Sequence, residues 1–218
     1  MFKHLIFIFI YLRWVYVRQW PVLNNRLGWL MFDLIFISFY QMFLLLGLAA
    51  PVFVVAAVTD PSKDDITLLD FTIAATYLGL VITETVADNQ QEEFQNTKKK
   101  MIKDGELEEP FKTGFISWGL FSLSRHPNYV AEQFLWIIFY LFSVSASGSL
   151  LNITITGPLL LILLFQGSTA LSEWITGGKY PGYAEYCDKV PKFLGNFWSL
   201  QSAYPAQVTM MESKNDSE

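Results

Sequence analysis

The chain is short of every residue that builds a metal or disulfide framework. Cys187 is its one cysteine, and His4 and His126 are its two histidines. A single thiol excludes an internal disulfide and a cysteine metal cluster, and two histidines exclude a histidine-rich metal site. Charge is scarce as well: 16% of residues are Asp, Glu, Lys or Arg, where a soluble domain carries about 25%. There is no basic stripe and no nucleic-acid-binding motif, so nucleic acid is set aside as a partner. The net charge of −5 singles out no other.

Apolar residues fill the space, at 52% hydrophobic and 17% aromatic, and they are gathered into runs. Asp33 is the one charge between Gly28 and Val58. About 20 mostly apolar residues cross a bilayer, so this run spans with length to spare. The pattern predicts an all-α integral membrane helical bundle, with four spans near 29–57, 66–86, 130–147 and 150–171. A short or truncated first span lies over 5–20. MFKHLIFIFIYLRWVYV has the basic residue and apolar run of a signal peptide, but Arg13 interrupts the run and no small-residue cleavage site follows. The expected organisation is a first span and link over 1–28, a transmembrane domain over 29–200, and a polar, disordered tail over 201–218. Pro51 is expected to kink the second span near its far end.

Loop charges set the orientation. The 18–28 link carries Arg18 and Arg26, the 89–128 link carries Lys98, Lys99, Lys100, Lys103, Lys112 and Arg125, and the tail carries Lys179, Lys189, Lys192 and Lys214. The 58–65 link has only Lys63, and SASGSLL (145–151) has no charge. The positive-inside bias places 18–28, 89–128 and the C-terminus in the cytosol, in agreement with strict alternation of spans. Asn152-Ile-Thr has the form of a glycosylation acceptor but sits in a tight turn against the membrane.

Three constellations carry chemistry. In ETVADNQQEEFQNTKKKMIK (84–103) no breaker interrupts the helix before DGELEEP ends it, and Glu84, Asp88, Gln91, Gln95 and Lys98 fall on one helical stripe. An ionisable group within a span is costly and faces a polar interior; a helix that simply turns polar as it leaves the membrane gives the same pattern. In SRHPNYVAE (124–132), Pro127 suits the first turn of a helix. The residues before it then offer free N–H groups to an anion, and Arg125 can fork onto phosphate or carboxylate. An interfacial cap with Tyr129 in an aromatic belt is the plainer account. In KYPGYAEYCDKVP (179–191), three tyrosines follow the last span, with Glu173 and Trp174 just upstream. They form either an interfacial belt or an aromatic wall. All three constellations fall at the cytosolic ends of spans, so packing of the spans gathers them round one cavity.

These residues carry a family resemblance. SRHPNYVAE followed by KYPGYAEYCDKVP resembles the C-terminal half of the steroid 5-alpha-reductase-like superfamily. ETVADNQQEEF and the run IFISFYQ (35–41) resemble its DUF1295 branch. The tyrosine run is also similar to that of sterol C14 and C7 reductases. The resemblance implies a membrane oxidoreductase of the endoplasmic reticulum. It would transfer hydride from NADPH to a carbon–carbon double bond of a sterol or other membrane lipid, with a protein acid protonating the second carbon. Carried over by motif, the cofactor-binding positions are Asp88, Gln91, Gln95, Phe121, Arg125, His126, Asn128, Glu132, Tyr180 and Tyr186; no metal is implied.

The chain also departs from that pattern. Gln91 and Gln95 stand where reductases usually have Lys or Arg, and Phe121 stands where the branch usually has Trp. The spans that supply the catalytic acid in steroid reductases are reduced here to residues 1–20 at most. Two further readings follow. Isoprenylcysteine and phospholipid methyltransferases share an R-H-P-x-Y element and bind S-adenosylmethionine. A catalytically incomplete membrane protein would keep the fold without the reaction.

Overall fold

A computed structural model describes residues 24–59 and 66–194. The first span expected over 5–20 and the polar tail lie outside the described residues. Within them the protein is all-α, with four helices long and apolar enough to cross a membrane. It is an integral membrane helical bundle.

Helix α1 runs from Arg26 to Val58. Asn25 caps it, its side chain accepting from Gly28 N at 2.6 Å. The helical turn widens to π geometry over Asp33–Tyr40. Phe32, Phe36 and Tyr40 stack along that stretch, with ring centroids 5.1 and 5.3 Å apart. Pro51 lies inside the helix and is buried, and the helix continues past it to Val58.

Helix α2 spans Leu68–Asp104, 37 residues. Thr67 and Asp70 close a reciprocal capping box at its start, and Gly105, at φ 77°, ends it in the left-handed conformation. At 1.5 Å per residue the helix is about 55 Å long, nearly twice the hydrocarbon thickness of about 30 Å. The span expected over 66–86 is therefore the first half of one rod. Its second half is the polar extension that the unbroken 84–103 stretch predicts.

Helix α3 is Pro127–Ser147, with Pro127 at its first turn as expected and Gly148 (φ 66°) at its end. Helix α4 is Thr156–Lys179, preceded by a single tight turn at Ile153–Ile155. It begins later and ends later than the hydropathy window 150–171, because Asn152 caps the preceding turn and the helix carries its polar last two turns intact. A short helix α5, Tyr183–Lys189, follows. One-turn helices at Phe111–Thr113 and Gly119–Ser122 shape the link from α2 to α3.

Helix α3 packs against α2, α1 and α4. The tightest crossing is that of α1 on α4, where a Cβ added to Gly47 would lie 2.9 Å from the Gly157 Cα. The two backbones touch, and Leu44, Leu48 and Leu161 pack around the contact. Tyr40 ties the helices again, its hydroxyl donating to Leu160 O at 2.6 Å. At the far end, Asn152 accepts from Thr154 N at 3.0 Å, and the Ser143 and Thr154 hydroxyls meet at 2.9 Å. The Asn152 amide is thus an internal cap. Leu45, Leu46, Phe53, Leu78, Ile82 and Leu163 are all exposed, an apolar exterior that only a bilayer covers.

The Gly47–Gly157 contact leaves no room for a side chain. Gly157→Leu should cost about 1–3 kcal/mol through forced separation of α1 and α4. Gly79→Leu, where nothing lies within 4 Å of the added Cβ, should leave thermal unfolding in detergent unchanged.

Candidate functional site

The polar ends of α2, α3 and α4 meet at one end of the bundle. The 111–126 link and α5 fold over them, and a cavity of about 340 Å³ lies between. Its wall includes Gln91 and Gln95 from α2, Phe121, Arg125 and His126 from the link, Asn128 from α3, and Tyr180 and Tyr186 after α4. Eight of the ten positions carried over by motif therefore share one cavity.

Asp88 and Glu132 lie one layer deeper, between α2 and α3. Asn128 bridges the layers: its Nδ2 donates to Asp88 Oδ1 at 3.0 Å. Glu132 accepts from Trp136 Nε1 at 2.8 Å, and its carboxyl group meets that of Glu84. Asp88, Gln91 and Gln95 do share a helix face, as their spacing predicts. That face divides between an inner carboxyl cluster and an outer pair of amides.

Arg125 departs from expectation. Its Nε donates to Glu173 Oε1 at 2.8 Å, and its Nη1 donates to the carbonyls of Cys187 and Val190 at 2.8 and 2.9 Å. These donors are turned to the protein instead of forking onto a ligand. The backbone N–H groups before α3 are engaged too: Arg125 N donates to Pro191 O at 2.9 Å, and His126 N to Ser124 Oγ at 3.2 Å. Ser124 Oγ donates in turn to Lys192 O at 3.2 Å. The segment expected to offer itself to an anion instead grips the strand of chain that follows α5.

Glu173 is the centre of that grip. Besides Arg125 it meets His126 Nε2 at 3.0 Å and Lys192 Nζ at 3.8 Å, with its side chain only 17% exposed. Two other candidates also hold the wall together. The Tyr186 hydroxyl donates to Phe121 O at 2.6 Å. The Tyr180 hydroxyl accepts from Lys98 Nζ at 2.8 Å, and Lys98 also donates to Gly114 O at 2.9 Å. Gly114 (φ 89°) lies flat against the Tyr180 ring, where any side chain would collide with it.

The cavity wall carries Arg125 and Lys179 and includes no Asp or Glu among the described residues. Phe115, Phe121, Tyr129, Tyr180, Tyr183 and Tyr186 supply its aromatic surface. Phe115 meets Tyr183 edge to face at 5.0 Å, and His126 stacks on Tyr129 at 5.4 Å. Burial pushes the phenols of Tyr183 and Tyr186 well above the usual tyrosine range, and raises the Cys187 thiol as well. All three stay neutral at physiological pH and add no negative charge to the wall, so the counter-charge that Arg125 meets is that of Glu173. Such a wall suits a ligand with an anionic part and a flat ring.

Sequence reasoning passed over Ser172, Ile175 and Thr176, which also line the cavity, and Gly114, Phe115 and Ile116 from the link, whereas Tyr183 is the third tyrosine of the 179–191 run. A signal for the first group existed. Residues 172, 175, 176 and 179 fall at the helical spacing of one face, and two of them are hydroxyl-bearing. The link residues have no periodicity to reveal them.

The fold and the site together define a membrane-embedded helical bundle with a polar cavity at one end. The chain belongs to the DUF1295 family: the family model, "Protein of unknown function (DUF1295)", matches residues 9–190. It is 35% identical over 199 residues to an uncharacterised protein of Schizosaccharomyces pombe. That match covers 86% of this chain but 56% of the relative, so the chain spans little more than half the relative's length. No solved structure matches it.

Two outcomes test the wall. Glu173→Gln leaves Arg125, His126 and Lys192 without their counter-charge. It should cost about 2–4 kcal/mol and expose the chain after α5 to limited proteolysis before the bundle melts. The raised phenols give a pH signature. Their stabilising contribution is whole at neutral pH and is lost as pH rises beyond about 10, where the unfolded phenols ionise first. Alkaline titration at 295 nm should show Tyr183 and Tyr186 among the late-ionising tyrosines, and Tyr186→Phe should remove one late phenol.

Proposed function

We propose that the protein is an NADPH-dependent membrane reductase of lipid carbon–carbon double bonds, a branch of the steroid 5-alpha-reductase-like superfamily. The observation that carries this reading is the convergence of eight motif positions on one cavity whose wall is cationic, aromatic and free of carboxylates among the described residues. On this reading the cavity faces the cytosol, since the Lys-rich links lie at that end, and the membrane is that of the endoplasmic reticulum.

The residues present fit part of such a cofactor well. Lys179 lines the cavity and brings a cation of the kind that meets phosphate. Gln91 and Gln95 present amides that hydrogen-bond a phosphate or ribose without neutralising it. Asn128, fixed by Asp88 on one side and by Tyr129 N at 3.0 Å on the other, is positioned to orient a ring amide. At about 340 Å³ the cavity lies near the lower end of the range of about 300–1,000 Å³ for ligand sites. When bound, NADPH supplies the hydride. The chain's own contribution is to orient the ring, exclude water with its aromatic wall, and hold the inner carboxyl groups of Glu84, Asp88 and Glu132 behind Asn128.

A second reading, S-adenosylmethionine-dependent methyl transfer, draws on the same aromatic residues, since clustered tyrosines attract a sulfonium cation. The cations on the wall weigh against it. A chain that keeps the fold without the reaction is the third, and the inward commitment of Arg125 favours it.

Thermal shift on purified protein separates the three. NADPH should raise the melting temperature where S-adenosylmethionine does not. Asn128→Ala should weaken NADPH binding about tenfold, the loss of a hydrogen-bonded contact of about 1.4 kcal/mol. Stabilisation by S-adenosylmethionine alone would reverse the order of the first two readings, and no response to either cofactor would favour the third.

A further inference from the structure

The half of the bundle remote from this cavity holds a larger one. It has a volume of about 970 Å³ and lies between the last turns of α1, the first turns of α2 and the last turns of α3. Its polar groups are gathered at the helix-end rim, where Thr59, Thr67, Asp70 and Ser145 stand. Asp70 Oδ1 accepts from Ser145 Oγ at 2.7 Å, which fixes the carboxylate across the α2–α3 seam. Deeper in, the wall is apolar, with Val55, Ala74, Phe139 and Phe142 among its residues. From Thr59 to Pro51 the wall descends eight helical residues, about 12 Å into the bilayer. The shape is therefore that of an apolar slot with one hydrogen-bonding rim at the membrane interface.

We propose that this cavity binds a bilayer lipid with a single neutral hydroxyl head and a bulky apolar body, the chemistry of a sterol, with the hydroxyl on Asp70. A carboxylate is an acceptor with about four lone-pair sites, and those taken by Thr67 and Ser145 leave capacity for one more donor. No Lys or Arg lines the cavity among the described residues, so among them a phosphate or fatty-acid head would meet the like charge of Asp70 without a cation beside it. A neutral donor suits that rim.

This lipid is not the substrate of the other cavity. Asp70 and Gln91 are 21 residues apart on one helix, about 32 Å, whereas hydride donor and acceptor must approach to about 3–3.5 Å. The site is separate from the reductase reading and stands or falls without it.

The test uses the full chain in phosphatidylcholine nanodiscs with two photoreactive probes. One is a cholesterol analogue bearing a ring diazirine, the other a phosphatidylcholine with a diazirine in its acyl chain. The sterol probe should label peptides spanning residues 51–59, 66–74 and 139–146, and excess unlabelled cholesterol should suppress that labelling. Ala74→Trp and Ala146→Trp, which fill the slot, should each abolish most of it, and Asp70→Asn should weaken it about fivefold through loss of a charge-assisted hydrogen bond. The melting shift produced by NADPH should be the same in all three variants as in the unaltered chain. Labelling that resists competition, or that spreads equally over the lipid-facing Leu45, Leu78 and Leu163, would overturn the proposal. Equal labelling of the same peptides by the phospholipid probe would overturn it too. Competition on the unaltered chain decides the matter even if a tryptophan variant fails to fold.

Discussion

One carboxylate fixes the geometry of the polar end. Glu173, at the end of α4, meets Arg125 and His126 at the start of α3 and Lys192 beyond α5. Three separate stretches of chain are held by two oxygen atoms. Arg125 then carries the hold onward through Cys187 O, Val190 O and Pro191 O. Without Glu173 the guanidinium would be largely buried and unpaired, a state far costlier than the pair. The tyrosine wall depends on the same grip, because Tyr183 and Tyr186 belong to the short helix that Arg125 pins. The cavity is thus defined less by the residues that face it than by the ion cluster behind them.

That arrangement changes how the RHP element is to be understood. A cation, an imidazole and a helix-initiating proline together look like an anion site. Here the cation faces inward and the backbone donors before the proline are engaged. The amides and phenols then make up much of the polar surface of the cavity, beside Arg125, whose Nε and Nη1 are engaged by the protein. On the proposed reading a ligand would be held by orientation and stacking, while the strong charge pairing serves the protein itself. The glutamines at 91 and 95 are consistent with this softer mode of recognition.

Much of this was legible in the residues. The spans, the unbroken extension of α2, the Gly105 stop and the Pro127 start all follow from apolar periodicity and end signals, which are local and physically strong. The convergence of Gln91, Asn128 and Tyr180 was legible as well, because each lies at the same end of a span. The inward turn of Arg125 was not. Its partners lie 48 to 66 positions away in sequence, and nothing in SRHPNY states whether a guanidinium faces a ligand or a carboxylate of its own chain. The depth of Asp88 and Glu132 was hidden for a similar reason: helical spacing gives a face but not how far a neighbouring helix covers it. The Gly47–Gly157 crossing had no signal beyond two small residues in separate spans.

The unbroken length of α2 has a mechanical meaning. It runs from the capping box at Thr67, beside the sterol-sized slot, to Lys98, which holds the tyrosine wall, with no hinge between. Its main support is α3, which it meets at Asp70–Ser145, Tyr77–Phe139 and Asp88–Asn128, along its first half. The rod is clamped over its membrane half, and its polar half extends beyond that clamp by about 24 Å, from Asp88 to Asp104. The two cavities thus share one continuous piece of backbone, anchored at the membrane end and bearing the tyrosine wall on its overhang.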